Sequence, residues 1–263
     1  MGILNVTPDS FADAFRTVDP VSAIDAAFRM EAEGADLVDI GGESTRPGAE
    51  PVSADEELSR VLPVLTALQG KLTVPISVDT NKASVARAAL EAGAAMINDI
   101  SGLRYDPELA AAVADYGAAL VLMHTRGHPK TMYNEATYGD LIREIAAELK
   151  ASIDCATTGG VRLDRIIVDP GIGFAKRPAH SYGVLAHLPS LAAALDRPIL
   201  VGASRKSFLR DATGDRPPSE RDWGTAAATS AAVLLGAHIV RVHAVAAMVQ
   251  VVRATEEIRR HGA

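Results

Sequence analysis

A single-domain α/β fold, the TIM-type (β/α)8 barrel, is what this sequence predicts, and three observations carry that expectation. The chain has 263 residues, close to the roughly 250 typical of such a barrel. Eight short aliphatic or β-branched runs alternate with longer Ala-rich stretches of helical pattern, the order of a parallel sheet wrapped by helices. Polar residues collect where those runs end, which in a barrel is the rim carrying the βα loops. One domain over 1–263, starting directly at its first strand, is therefore expected.

The strand runs are Gly2–Val6, Leu37–Ile40, Pro75–Val78, Met96–Ile100, Ala119–Met123, Arg165–Val168, Ile199–Val201 and His238–Val242. Helices are predicted over 20–33, 54–69, 81–92, 106–116, 139–158, 179–195, 222–236 and 244–260. Ser53 before Ala54-Asp55-Glu56, and Asp106 before Pro107-Glu108, supply side-chain oxygens for the free N–H groups of a first helical turn. Gly34, Gly93, Gly117 and Gly236 stand at or just past helix ends, where a left-handed residue returns the chain to the sheet. The small residues of Thr225–Ala232 read as a closely packed helix.

Hydrophobic residues make up 48% and charged residues 22%, which excludes disorder, and the 4% of aromatics means an aliphatic core. The net charge of −7, with no basic run, argues against a nucleic-acid partner, so an anionic ligand needs locally placed cations. Cys155 is the one cysteine, which forbids an internal disulfide and suits a reducing, cytoplasmic setting. No CxxC pair or HExxH helix suggests zinc. No stretch approaches the roughly 18 apolar residues of a membrane span, so no membrane partner is expected.

The strand ends carry Asn5-Val6-Thr7-Pro8-Asp9, Asp39 to Pro47, Asp79-Thr80, Asn98-Asp99, His124, Asp169-Pro170-Gly171, Ser204-Arg205-Lys206-Ser207 and Arg241-Val242-His243. Singly, each has an ordinary explanation: a helix cap, a satisfied histidine, a tight turn, a solvated lysine. Together they describe a site, because isolated buried charges cost several kcal/mol unless they find partners.

The stretches MGILNVTPDSF, DIGGESTRPGA, ISVDT, NDISG, DPGIGFAK, GASRKSF and RVH occur in this order and span nearly the whole chain. In them the sequence resembles the dihydropteroate synthases. That resemblance implies the condensation of 6-hydroxymethyl-7,8-dihydropterin pyrophosphate with 4-aminobenzoate in folate synthesis. It implies a pterin site at Asp79, Asn98, Ile100, Met123, Asp169, Lys206 and Arg241, and a pyrophosphate site at Asn5, Arg46, Arg241 and His243. Phe11, Thr45, Pro47, Phe174, Lys206 and Ser207 would form an aminobenzoate pocket that also accepts sulfonamides, with Asn5 and Asp13 as Mg2+ contacts. Asp79, Asp169, Lys206, Arg46 and His243 are the catalytic candidates; the loop with Asp9, Phe11 and Asp13 and the loop from Ser44 to Gly48 resemble the family's mobile loops that order over both substrates, and a homodimer through late helices is implied. Two other readings share the barrel and acidic pocket: a non-catalytic pterin-binding paralogue, and a methyltransferase passing a methyl group from methyltetrahydrofolate to a corrinoid protein.

Three departures from the family pattern stand out. Ala12-Asp13-Ala14-Phe15 replaces a glycine-rich Ser-Asp-Gly-Gly stretch, and Ala244 replaces the aspartate after His243. The family also carries a segment before the first strand that closes the foot of the barrel, whereas this sequence opens at Met1-Gly2-Ile3; lower stability, recovered on extension, is the expectation.

Overall fold

The computed structural model describes residues 1–7, 20–46 and 48–262. Strands β1 (Gly2–Asn5), β2 (Val38–Gly41), β3 (Ile76–Asp79), β4 (Met96–Asp99), β5 (Ala119–Met123) and β6 (Ile166–Asp169) form one parallel sheet in chain order. β7 (Leu200–Val201) pairs with β8 (Ile239–Val240). Parallel bridges Val168↔Ile199 and Gly2↔Val242 join the two sheets on both sides, so the eight strands close on themselves.

The helices are α1 (Pro20–Ala32), α2 (Ala54–Leu68), α3 (Ala83–Glu91), α4 (Leu109–Asp115), α5 (Leu141–Thr158), α6 (Pro178–Ala186), α7 (Leu188–Leu195), the short α8 (Arg210–Thr213), α9 (Asp222–Leu234) and α10 (Val245–His261). Ser53 caps α2 by accepting from Glu56 N at 3.2 Å, and Asp140 caps α5 by accepting from Arg143 N at 3.2 Å. The four expected glycines all take positive φ, between 60° and 97°.

Two expectations change. The helix predicted over 179–195 is two helices broken at His187, because Pro189 in the first turn of α7 has no N–H to continue the α6 ladder. Asp106 does not begin a helix at 106; its Oδ2 accepts from Ala83 N at 2.7 Å and its Oδ1 from Glu108 N at 3.0 Å, tying α3 to the turn before α4.

Alternation along each strand decides what faces where. Leu4, Val38, Ile40, Val78, Ile97, Leu120, Leu122 and Val168 face outward into the main core beneath the helices. The intervening residues face into the barrel. At its foot Met1, Met96, Val121 and Leu200 pack together with Ile167 and Ile239, an apolar plug. Higher up the inward positions turn polar, through Asp39 and Ser77, both fully buried, to the rim. The strand register then sets Asn5, Gly41, Asp79 and Asn98 side by side in one row, with Met123 beside Asp169 further round.

Candidate active site

Arg241, one residue beyond β8, reaches across the mouth of the barrel. Its Nε donates to Asp39 Oδ2 at 2.6 Å and its Nη2 to Asp79 Oδ2 at 2.8 Å. Asn98 Nδ2 donates to the same Asp39 oxygen at 3.1 Å, which orients the amide. Asp39 is fully buried, and its Oδ1 has no partner among the described residues. Burial pushes the Asp79 carboxyl above the ordinary carboxylate range, against the pull of the Arg241 guanidinium. Asp169 is lifted by burial too, opposed first by Lys206.

The β6 end depends on one glycine. Gly171 has φ +70°, and a Cβ there would lie 1.9 Å from the His124 carbonyl oxygen, so no other residue fits; its N–H donates to Asp169 Oδ1 at 2.7 Å.

The β7 end depends on strain. Arg205 takes φ +58°, an uncommon conformation for a residue with a side chain. It is held there by a 3.0 Å bond from its N–H to Thr225 Oγ1, a bidentate pair with Asp222 at 2.7 and 2.8 Å, and Arg221 Nη1 donating to its carbonyl at 3.0 Å. The turn directs Lys206 into the mouth, where Nζ donates to the Ile172 carbonyl and sits 4.3 Å from the centre of the Phe174 ring. Burial lowers Lys206 to about 8. Ser204 Oγ lies 2.9 Å from His243 Nδ1 and accepts from His243 N at 3.1 Å. Ser204 thus orients His243. Burial pushes His243 down to about 3, so it is neutral at neutral pH and acts as a hydrogen-bonding group, not a cation.

These groups surround a cavity of about 500 Å3. Asn5, Thr45, Arg46, Asp79, Asn98, Ile100, Met123, Asp169, Phe174, Lys206, Ser207, Arg241 and His243 all line it. The remaining site candidates, Phe11, Asp13 and Pro47, lie outside the described residues, as do Ala12, Ala14 and Phe15. Sequence reasoning assigned no role to Asp39, although it lies two residues before Gly41 and hence on the same inward face. It also missed Ser204 as the partner of His243, and Tyr133 and Arg221 on the cavity wall. Among the described residues no group of three or more His, Cys, Asp or Glu could hold a metal ion. No helix among them is long and apolar enough to cross a membrane.

Residues 1–243 match the family model described as "Pterin binding enzyme". The chain is 49% identical to a dihydropteroate synthase of Synechocystis over 260 residues, covering 99% of this chain and 90% of the relative. It is 42% identical to the Escherichia coli dihydropteroate synthase, over 97% of this chain and 90% of that one. The chain belongs to the dihydropteroate synthase family. Solved dihydropteroate synthases share its fold: that of Yersinia pestis, with a sulfonamide drug complex, superimposes with a TM-score of 0.93 at 43% identity, over 98% of this chain and 93% of that one. The Xanthomonas albilineans dihydropteroate synthase with 4-aminobenzoic acid gives a TM-score of 0.91 at 43% identity, over 98% and 92%. In complex with 7,8-dihydropteroate the same enzyme gives 0.87 at 40% identity, again over 98% and 92%. Dihydropteroate synthases are transferases, and this chain is an enzyme of that class.

Proposed function

We propose that the cavity joins 6-hydroxymethyl-7,8-dihydropterin pyrophosphate to 4-aminobenzoate, giving 7,8-dihydropteroate and pyrophosphate in folate biosynthesis, in the cytoplasm. One observation carries the reading for this chain: buried Asp79, Asn98 and Asp169 face a single cavity whose other wall holds Lys206, Arg46 and Arg241. A carboxylate accepting two parallel N–H bonds recognises the guanidine-like edge of a pterin, and the arginine forks suit non-bridging phosphate oxygens. Ile100 and Met123 supply an apolar wall for the ring, and Lys206 a cation for its carbonyl.

The reaction breaks the methylene C–O bond to pyrophosphate and forms a C–N bond to the aromatic amine, which gives up a proton. Departure ahead of attack leaves a cationic methylene conjugated to the pterin, favoured by the negative field of Asp79 and Asp169. Arg46 and Arg241 carry the positive charge that meets the leaving group, and neutral His243 donates an N–H. Thr45, Phe174 and Ser207, with Phe11 and Pro47, hold the aminobenzoate and exclude the water that would capture the cation.

The donor set suits Mg2+. Asn5 offers an amide oxygen on the cavity wall with no competing carboxylate cluster, and an ion that keeps water and phosphate oxygens needs only one or two protein ligands. Asn5 and Asp13 would hold it, and there it would offset charge on the departing pyrophosphate.

A homodimer is proposed through α9. Trp223 is 88% exposed and Leu234 47%, and both lie with Ala227 along one helical face. The small residues Thr225, Ala228, Thr229 and Ala232 are instead buried within the chain.

The test is joint assay of pyrophosphate and dihydropteroate with Mg2+ and both substrates. Asp79→Ala and Arg46→Ala are each expected to lower turnover by about 10²–10³. Tight pterin binding without either product would overturn the synthase reading in favour of a pterin-binding paralogue.

A further inference from the structure

The loop from β6 to α6 carries Phe174, and four of its successive carbonyls each accept from a different side chain. Ile172 O accepts from Lys206 Nζ, Gly173 O from Tyr133 Oη at 3.4 Å, Phe174 O from Lys176 Nζ at 3.1 Å and Ala175 O from Tyr138 Oη at 3.0 Å. The loop needs such restraint, because Gly171, Gly173 and Ala175 all take positive φ, Ala175 at +46° despite its Cβ.

Lys176 is 1% exposed, and the reaction makes no direct use of it. Its Nζ lies against three polar atoms, Phe174 O at 3.1 Å, His124 Nδ1 at 2.8 Å and His124 O at 3.4 Å, and burial lowers it well below the ordinary lysine range. Burial lowers His124 to about 4, so the ring is neutral; its Nε2 lies 3.2 Å from Glu148 Oε2, in contact but off the line of a hydrogen bond. The other oxygen of Glu148 bonds Arg126 Nε at 3.0 Å, and the Arg126 guanidinium lies 4.2 Å from the centre of the Tyr138 ring. Two branches thus run from Glu148 on α5 to adjacent carbonyls of the loop, through His124 and Lys176 to Phe174 and through Arg126 and Tyr138 to Ala175.

We propose that Glu148 and Lys176 are positioning residues for aminobenzoate: they fix the carbonyls of the Phe174 loop and thereby the ring on which Lys206 rests. The proposal rests on the synthase reading above. Neither residue lines the cavity, so neither touches a substrate directly.

The experiment compares Glu148→Gln, Lys176→Met and the double variant in the full-length enzyme. It reads the KM for 4-aminobenzoate at saturating dihydropterin pyrophosphate, and the Kd for dihydropterin pyrophosphate by calorimetry. Lys176→Met is expected to raise the aminobenzoate KM about tenfold, Glu148→Gln by about threefold, with the pterin Kd unchanged. The double variant is expected to fall short of the product of the two single effects, because the branch through His124 is common to both residues. Glu148 is 27% exposed, so its variant carries the test if Lys176→Met does not fold. Equal weakening of both substrates, no change in either, or multiplying effects in the double variant would overturn the proposal. Absence of dihydropteroate from the unaltered enzyme would sink the synthase reading and the proposal with it. Normal turnover with unaltered variant KM values would sink the proposal alone.

Discussion

Lys206 combines burial with a required charge, and its function and its contribution to stability respond to pH in opposite ways. Burial lowers its folded-state value to about 8 from an ordinary 10.5. Between those values the unfolded chain binds the extra proton, so stability from this group rises with pH; the cation that faces the pterin is lost over the same range. An alkaline limb of kcat/KM near 8 is expected, and Lys206→Arg should move it upward by keeping the charge. Gly171 sets a different limit. Gly171→Ala places a methyl group against the His124 carbonyl at positive φ, and should lower stability by about 3 kcal/mol or prevent folding, as read by urea denaturation. Both residues stood out in the sequence, as the lysine of Ser-Arg-Lys-Ser and the glycine of Asp-Pro-Gly. Asp39 and Lys176 did not, because their importance comes from partners far along the chain: Asp39 meets Arg241 across a sequence separation of 202, and Lys176 meets His124 across 52.

Most elements were readable from alternation, capping residues and closing glycines, since these are local properties. The break at His187 has its signal in Pro189, outweighed in the sequence by the apolar residues on either side. β7 and β8 are only two residues long, and their pairing is decided by closure of the barrel. Between elements, Lys82 joins the β2–α2 loop to α2 through Glu43 and through Glu57, at 2.5 Å in the latter case. The Glu57 side chain is 1% exposed. Lys82→Met would strand that carboxylate, and should cost about 3–5 kcal/mol in chemical denaturation. The same loop carries Thr45 and Arg46, so kcat should fall as well.

For the whole molecule, an apolar plug at the foot and buried charge at the rim divide the barrel into a part that holds it together and a part that reacts. That division is why the position of the site was legible from strand ends alone, whereas the assembly was not: surface exposure of α9 becomes visible only once the helix has packed. Sedimentation should give a species of twice the chain mass, and Trp223→Asp should shift it to the single chain; a monomer before substitution would exclude the dimer. The span of Arg241 across the mouth has a bearing on inhibitor design. A ligand that docks its amino-pyrimidinone edge on Asp79 takes over the oxygen that accepts from Arg241 Nη2, so strengthening its donors brings small returns while the guanidinium is left with Asp39 alone. An anionic group placed to receive that guanidinium removes the obstacle, and fragments carrying the two features separately will underestimate the potency of the molecule that links them.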